Sequence, residues 1–453
     1  MSGISALHIA REALLSHQAA INTTGSNIAN VNTPGYTRQR PVFSTLNQTV
    51  AISNIERIYD QFLGVQINEK THSLGYNEAK KDELERIEMI FDEVGDGGIS
   101  DLLNKFWNAW EDLSANPSGQ TERMALVSIS QSLTYKFRSY GDELLSLQYD
   151  ANSRIGNVVE QVNSYISDIA DINKQISETP SNDSSMNDLR DNRGNLLSEL
   201  AEIVDFHYIE DSSGSINVYL SNGMFLVEGN QTGELEVVTG NHTNISFNDV
   251  VLKDDADHGV INDIITGGQL KGYLEVRDTE ASGYIDSLDE VAASLVTEIN
   301  TRHQQGYDLN QNLGEQFFDS TKTTARTIEI GSAIVADINK IAASETVTSD
   351  GGNAAVIGAL RDAFLMNGGN ATINDYFDSV VWQIGQDVAD ASREFDHQTN
   401  LVTQLTNKRE QISGVSIDEE MMNLIKYQNG YNAAARLCAV ADELADTLMT
   451  MVT

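Results

Sequence analysis

Between Leu126 and Ile176 apolar residues recur every three or four positions in a nearly unbroken run: Leu126, Leu133, Phe137, Tyr140, Leu144, Leu147, Ala151, Ile155, Val158, Val162, Tyr165, Ile169, Ile172 and Ile176. This spacing is the seam of one helix packed along another. It predicts a single helix of roughly 75 Å at 1.5 Å per residue. Few folds can house such an element, and all of them are elongated. Proline distribution points the same way. All four prolines (Pro34, Pro41, Pro117, Pro180) lie in the first 180 residues, and the rest of the 453-residue chain is free to form long helices.

Shorter seams follow the same rule. Leu84, Ile87, Phe91 and Val94 close a helix that stops at "GDGG"; Ile285, Leu288, Ala292, Leu295 and Ile299 form another. A second long one reads Phe377, Val381, Ile384, Val388, Ala391, Phe395, Gln398, Val402, Leu405, Arg409 and Ile412. The ends of the chain carry weaker stripes. Ile4, Leu7, Leu14, Ile21 and Ile28 share one register, interrupted at Arg11, Gln18 and Gly25. At the other end "SIDE" (Ser416–Glu419) is a capping box. Behind it run Met421, Leu424, Gln428, Tyr431, Ala435 and Cys438, after which the stripe slips by one residue to Ala441, Leu444, Leu448 and Met451. Such interrupted stripes are marginal until something covers them. Charge favours mutual pairing of the two ends. Arg11, Arg38 and Arg40 stand against Glu12 in residues 1–45, whereas residues 415–453 hold Asp418, Glu419, Glu420, Asp442, Glu443 and Asp446 against Lys426 and Arg436.

From about Asp205 to Gly267 the helical period vanishes. "SINVYLSNGMFLVEG" alternates around Ser221-Asn222-Gly223, a β-hairpin pattern. A Gly- and Asn-rich zone, about 307–370, reads as loops with short helices. The fold class expected is therefore mainly α with a small β insertion: a nested multidomain rod whose two chain ends form a long coiled-coil-like helical bundle. The boundaries expected are 1–45 with 413–453 for the terminal helices, 46–204 with 268–412 for the long-helix bundle, and 205–267 for the β domain.

The net charge of −38, with a pI near 4.3, disfavours nucleic acid and anionic lipid as partners. The single cysteine, Cys438, excludes an intramolecular disulfide and reads as a small buried hydrophobe. No secretory signal and no apolar run of membrane-spanning length is evident, so no membrane insertion is expected. Taken alone, these features read as cytoplasmic.

The segment "NTPGYTRQR" (Asn32–Arg40) changes that reading. Asn32, Pro34 and Gly35 stop a helix, because the residue before proline avoids αR and glycine permits positive φ. Tyr36, Arg38 and Arg40 then offer groups to a neighbour, unless they are merely solvated. The longer stretch "INTTGSNIANVNTPGYTRQR" resembles the N-terminal signature of the bacterial flagellar rod, hook and hook-associated axial proteins. Four further blocks resemble the hook-associated members: "GISDLLNKFWNAWEDLSANPSG", "LRDNRGNLLSELAEIV", "GGQLKGYLEVRD" and "GVSIDEEMMNLIKYQNGYNAAARLCAVADELADTL". The match covers both ends and much of the helical interior, and is thin across the β insertion and residues 307–370.

The resemblance implies a structural subunit that joins hook to filament by packing its helical ends in a ring of copies. The alternatives are another axial subunit, such as a rod or hook protein, and a wall-acting enzyme on the same scaffold. Residues expected at the subunit interface are Ile4, Leu7, Leu14, Ile21, Ile28, Tyr36, Arg38, Arg40, Met421, Leu424, Tyr431, Leu444, Leu448 and Met451. The implied partners are copies of itself, the hook protein, the second hook-associated junction protein and an export chaperone for the C-terminal segment with Leu437, Leu444 and Leu448. Export through the flagellum's own type III route, without a cleaved signal, would place the chain outside the cell. No catalytic residue, cofactor site or metal site is expected. The eight histidines are scattered without HExxH spacing. "DDADHG" (254–259) lacks the spacing and closing glutamate of a calcium loop. Phe106, Trp107 and Trp110 have the helical spacing of core residues.

Overall fold

The computed structural model describes residues 3–46, 49–91, 93, 97–180, 185–240, 246–253, 259–347 and 350–452, with side chains described except at 3–5, 46, 448, 449, 451 and 452. The acidic turn at 254–258 thus lies outside the described residues. So do the side chains of Ile4, Leu448 and Met451.

The chain opens with α1 (Gly3–Ala29) and a hairpin of β1 (Gln39–Leu46) and β2 (Thr49–Arg57). Helices α2 (Gln61–Ile90), α3 (Ile99–Ala115), α4 (Gln120–Glu178) and α5 (Ser185–Ile203) follow. Six short strands come next: β3 (His207–Glu210), β4 (Ile216–Tyr219), β5 (Phe225–Glu228), β6 (Gln231–Thr232), β7 (Leu235–Thr239) and β8 (Asn248–Leu252). The return path is α6 (Gly268–Glu275), α7 (Ala281–His303), α8 (Ser332–Ala336), α9 (Gly352–Gly358), α10 (Ile373–Ser413) and α11 (Ile417–Val452).

Helix α4 is the spine. Its expected seam is buried almost residue for residue, and it serves two cores in succession. Leu126 to Leu147 pack with α3, α7, the start of α10 and the 317–366 region, around Phe106, Trp107, Trp110, Phe317 and Phe318. Ile155 to Ala170 pack with α5, α6 and the strands. The aromatic block of α3 is thus core, as its spacing requires.

The β insertion forms an antiparallel sheet β3-β4-β5-β6 and a separate pair β7-β8. Gly223 turns the β4–β5 hairpin at φ +87°, where glycine has no Cβ to clash. Between α7 and α10 the chain makes short helices and isolated bridges, such as Tyr307 with Ser344 and Phe318 with Ile330. Buried polar side chains pin this zone. Arg123, on α4, donates to the carbonyls of Pro117, Ile338 and Ile341. His303 donates from Nδ1 to the Glu315 carbonyl at 2.6 Å, and its Nε2 accepts from the Ala342 amide at 2.8 Å.

The two terminal helices pack on each other along their length. Contacts of Asn27 with Glu420 and of His17 with Gly430 make them antiparallel. The seam differs from the one the apolar residues suggest. On α11 it is an unbroken 4-3 repeat: Glu420, Tyr427, Ala434 and Ala441 buried, with Leu424, Tyr431, Cys438 and Ala445 half-buried. There is no slip. On α1 it runs Ala6, Ala10, Ala13, His17, Ala20, Thr24 and Asn27. The cause is size. Alanine, threonine and glycine let the two backbones approach, so the small face turns inward and several large apolar residues are left outside. Leu7, Met421, Leu437 and Leu444 are 41%, 46%, 43% and 55% exposed, and Leu14, Ile21 and Ile28 are half-buried.

Periodicity does not reveal the β1–β2 hairpin. Its first strand contains Pro41, and its register shifts between Val42 and Phe43. A two-stranded ribbon is marginal in water, and this one leans on the terminal helices. Ser16 Oγ donates to the Val50 carbonyl at 3.0 Å, and the Phe43 ring sits between His17 and Tyr427.

The His303 contacts give a test of the interior. Burial lowers its pKa from 6.5 to about 4, so the folded state binds the proton later than the unfolded state does. Stability should be intact above pH 6.5 and fall as pH drops toward about 4, by up to about 3 kcal/mol from this residue. Denaturant titrations across that window should show a shallower pH slope for His303→Gln than for wild type. Parallel slopes would contradict the assignment.

Candidate joint between the terminal helices and the outer bundle

Helix α1 stops at Ala29, and the chain turns through Asn32, Thr33 and Pro34 to Gly35, whose φ is +74°. Two constraints meet at Gly35. The dihedral disfavours any side chain, and a Cβ there would lie 1.7 Å from Asn195 Oδ1 of α5. The turn is thus a docking point on α5 as well as a helix stop. Asn32 and Pro34 are exposed on its outer side.

Beyond Gly35 nearly every polar group finds a partner in the same chain. The centre is Asn27, 1% exposed. Its Nδ2 donates to the Gln39 carbonyl at 2.8 Å and to Glu420 Oε2 at 3.0 Å. Its Oδ1 accepts from the Gln39 amide at 3.0 Å and from the Tyr36 hydroxyl at 2.8 Å. Four bonds use the full capacity of a side-chain amide. Glu420, 2% exposed, completes the knot. Arg38 Nε and Nη2 each lie 2.8 Å from its Oε1, and Arg38 Nη1 lies 2.7 Å from Glu419 Oε2. One arginine therefore ties the segment after α1 to the first turn of α11, where acidic side chains also suit the helix dipole.

The same segment is tied outward. The Arg38 amide donates to the Ser413 carbonyl, at the last residue of α10, and the Ile58 amide donates to the Arg38 carbonyl, both at 2.9 Å. The Thr37 amide donates to Asp191 Oδ2 at 3.0 Å, and Asp191 Oδ1 pairs with Arg57 at 2.6 Å. Gln39 Nε2 reaches Asp188 at 3.2 Å, and Asn187 donates to the Ile55 carbonyl at 2.9 Å. Burial pushes the Asp191 carboxyl up, while Arg57 and the Thr37 amide act against that rise. Burial likewise raises the Tyr36 phenol. Thus α1, α11, the hairpin, α5 and the end of α10 converge on residues 35–39.

This placement corrects the reading of Tyr36 and Arg38 as groups held out to a neighbour. Tyr36 is half-buried on Asn27, and Arg38 is bound to Glu419 and Glu420. Arg40 is exposed and pairs with the equally exposed Glu56 at 2.9 Å. The residues that matter most to the joint, Asn27, Gln39, Asp191 and Glu420, do not stand out in the sequence. The available signal is an asparagine lying in phase with Ala20 and Thr24, where a buried amide needs partners. Two of the sequence blocks noted above, "NTPGYTRQR" and "LRDNRGNLLSELAEIV", prove to be the two faces of this contact.

Among the described residues no group of three or more His, Cys, Asp or Glu side chains is placed to hold a metal ion. Among them, too, no helix is long and apolar enough to cross a membrane.

Comparison with known proteins matches this division of the chain. Residues 7–37 match the family described as flagella basal body rod protein, and residues 408–451 match the C-terminal region of the flagellar basal body rod FlgEFG proteins. The paired ends are thus similar to those of the axial proteins of the bacterial flagellum. Residues 84–318, more than half of the chain, match the helical domain of flagellar hook-associated protein FlgK, and the chain belongs to that family. It is 28% identical to flagellar hook-associated protein 1 of Bacillus subtilis, over 98% of this chain and 97% of that one. It is 26% identical to the Escherichia coli protein of the same name, over 99% and 100%. The solved flagellar hook junction protein FlgK from Burkholderia pseudomallei shares the fold at a TM-score of 0.69 and 16% identity, covering 77% of this chain and all of that one.

Replacing Asn27 by alanine removes four hydrogen bonds and leaves Glu420 and the Gln39 backbone buried with fewer partners. The expected cost is about 1–3 kcal/mol for each group left unsatisfied. Limited proteolysis of the full chain should then release both terminal segments faster, while the helical interior melts as in wild type. Unchanged cleavage at both ends would show that the knot does not hold them.

Proposed function

We propose that the chain is a structural subunit joining the flagellar hook to the filament. Its paired terminal helices pack against neighbouring copies and against axial partners, and its outer bundle and β insertion face away from them. The observation that carries the reading is the distribution of apolar surface on the terminal pair. The small-residue seam is closed within the chain, so Leu7, Leu15, Met421, Met422, Ile425, Leu437, Val440 and Leu444 remain exposed. Exposed apolar residues in such number on one helix pair mark an association surface. The assembly residues are thus proposed to be the outer ones of the stripes: Leu7, Leu14, Ile21, Ile28, Met421 and Leu444, with Ile4 and Met451 continuing the same faces in sequence; Leu424 and Tyr431, expected among them, lie in the seam that closes the pair, and Leu448 follows that seam in sequence. Arg40 belongs with them as an exposed charge.

The partners proposed are other copies of the chain in a ring, the hook protein on one side and the second hook-associated junction protein on the other. Before export, a chaperone would cover the C-terminal face at Leu437, Leu444 and Leu448, since that face is apolar and would otherwise aggregate. Secretion without a cleaved signal is part of the same reading. So is the absence of catalysis: the family is structural, and no step in this account requires an enzyme.

Leu444→Asp tests the proposal. Burying a leucine is worth roughly 1.5–3 kcal/mol, and a carboxylate adds an uncompensated charge in every copy of a ring. Strains carrying the variant should lose filament attachment and shed filament subunits into the medium, while the purified chain melts as wild type does. Variant protein found in the medium but not on hooks places the fault at the junction; its absence from the medium places it at export. Normal swimming would refute both roles for this face.

A further inference from the structure

A cavity of about 540 Å³ opens between β2, the first half of α5 and β3. Three of its lining residues are arginines: Arg57, Arg190 and Arg193. In a chain of net charge −38 such a convergence of cations is unusual. Their partners are too few. Arg57 Nη2 pairs with Asp191 at 2.6 Å and donates to Thr37 Oγ1 at 3.3 Å, Arg193 donates from Nη1 to Asn173 Oδ1 and the Gly214 carbonyl, and Glu56, which also lines the space, pairs with Arg40. Glu210 is shared, 3.4 Å from Arg193 Nη2 and 3.9 Å from Arg190 Nε, the latter beyond hydrogen-bond reach. Each of the three arginines keeps a buried Nε–H with no acceptor among the described residues. The Arg193 side chain is only 3% exposed. Burial lowers the Arg193 pKa to about 10; the Glu210 carboxylate acts against this, and the charges of Arg190 and Arg57 add to it. Met186 and Asn187, in the first turn of α5, also line the space and bring the positive end of a helix dipole to it.

Buried donors without acceptors are costly and rare, and guanidinium groups match planar oxyanions in a bidentate fashion. We propose that this cavity is an oxyanion site that takes a carboxylate or a similar small anion. That anion is either free in solution or the side chain of an aspartate or glutamate from a neighbouring copy. The free-anion case stands independently of the junction role; the neighbouring-copy case rests on it.

The test uses the full-length chain. Succinate and inorganic phosphate are titrated at constant ionic strength while thermal unfolding and heats of binding are followed, for wild type, Arg190→Gln and Arg361→Gln. Arg190 stands at the rim and lacks strong internal bonds, so its replacement spares the fold. Arg361, which contacts Asn104 and Asn108 on α3, is the distant control. Wild type and Arg361→Gln should show a saturable rise in melting temperature, and Arg190→Gln should bind about tenfold or more weakly. In isolated hook–filament junctions, Arg190→Lys is treated with a zero-length carbodiimide cross-linker. An amide link from the introduced amine to a carboxylate of another copy would place the anion on the neighbour. Absence of the link, with the solution response present, would assign a free anion. No saturable response in wild type together with no cross-link overturns the site, as does an equal response in Arg190→Gln.

Discussion

The carboxylate of Glu420 is the contact on which the arrangement of the chain depends. It is buried, separated from its partners by nearly the full length of the sequence, and held by a guanidinium from the segment that follows the first helix and an amide from that helix's last turn. A carboxylate removed from water is tolerable only when paired and hydrogen-bonded. Arg38 and Asn27 can supply those bonds only if α1 and α11 lie antiparallel in one register. The polar knot therefore specifies how the two ends align, while the alanine-rich seam supplies closeness rather than much apolar burial.

This division of labour explains the surface. A seam built from large apolar residues would have buried them within the pair. Here mostly small residues, with Leu424, Tyr427 and Tyr431, close the pair, and most of the leucines, methionines and isoleucines remain outside. The joint then transmits the position of that pair to the rest of the subunit. Through Ser413, Asp191, Gln39 and Gly35 it reaches α10, α5 and the hairpin, and through α5 it reaches the second core and the β insertion. Helix α4 carries the connection on into the first core. A chain whose ends are locked to its body by directional, buried bonds passes a displacement of those ends on to that body.

Much of this was legible in the sequence. The seam of α4, the seams of α7 and α10, the hairpin around Gly223 and the core position of Trp107 and Trp110 follow from period and turn chemistry, because large apolar residues in long helices have one place to go. The terminal helices were legible as a pair but not in register. Stripes of leucine and isoleucine draw attention, yet in this pair the interface prefers alanine, and the true 4-3 repeat on α11 passes through Glu420, Ala434 and Ala441. The β1–β2 hairpin is hidden because Pro41 and a bulge disguise its alternation. The joint itself could not be assembled from spacing alone. Its members come from five separate elements, and polar residues acquire meaning only through the partners that tertiary structure brings to them.

The most direct measurement is native-state hydrogen exchange of the amides of Thr37, Arg38 and Gln39 in the free full-length chain. All three are bonded across elements, to Asp191, Ser413 and Asn27. If the joint holds the ends before assembly, these amides exchange slowly and together, on the scale of the helices around them. Exchange at the rate of an open loop, with α4 still protected, would mean that the ends are not locked to the body of the subunit and would contradict this account.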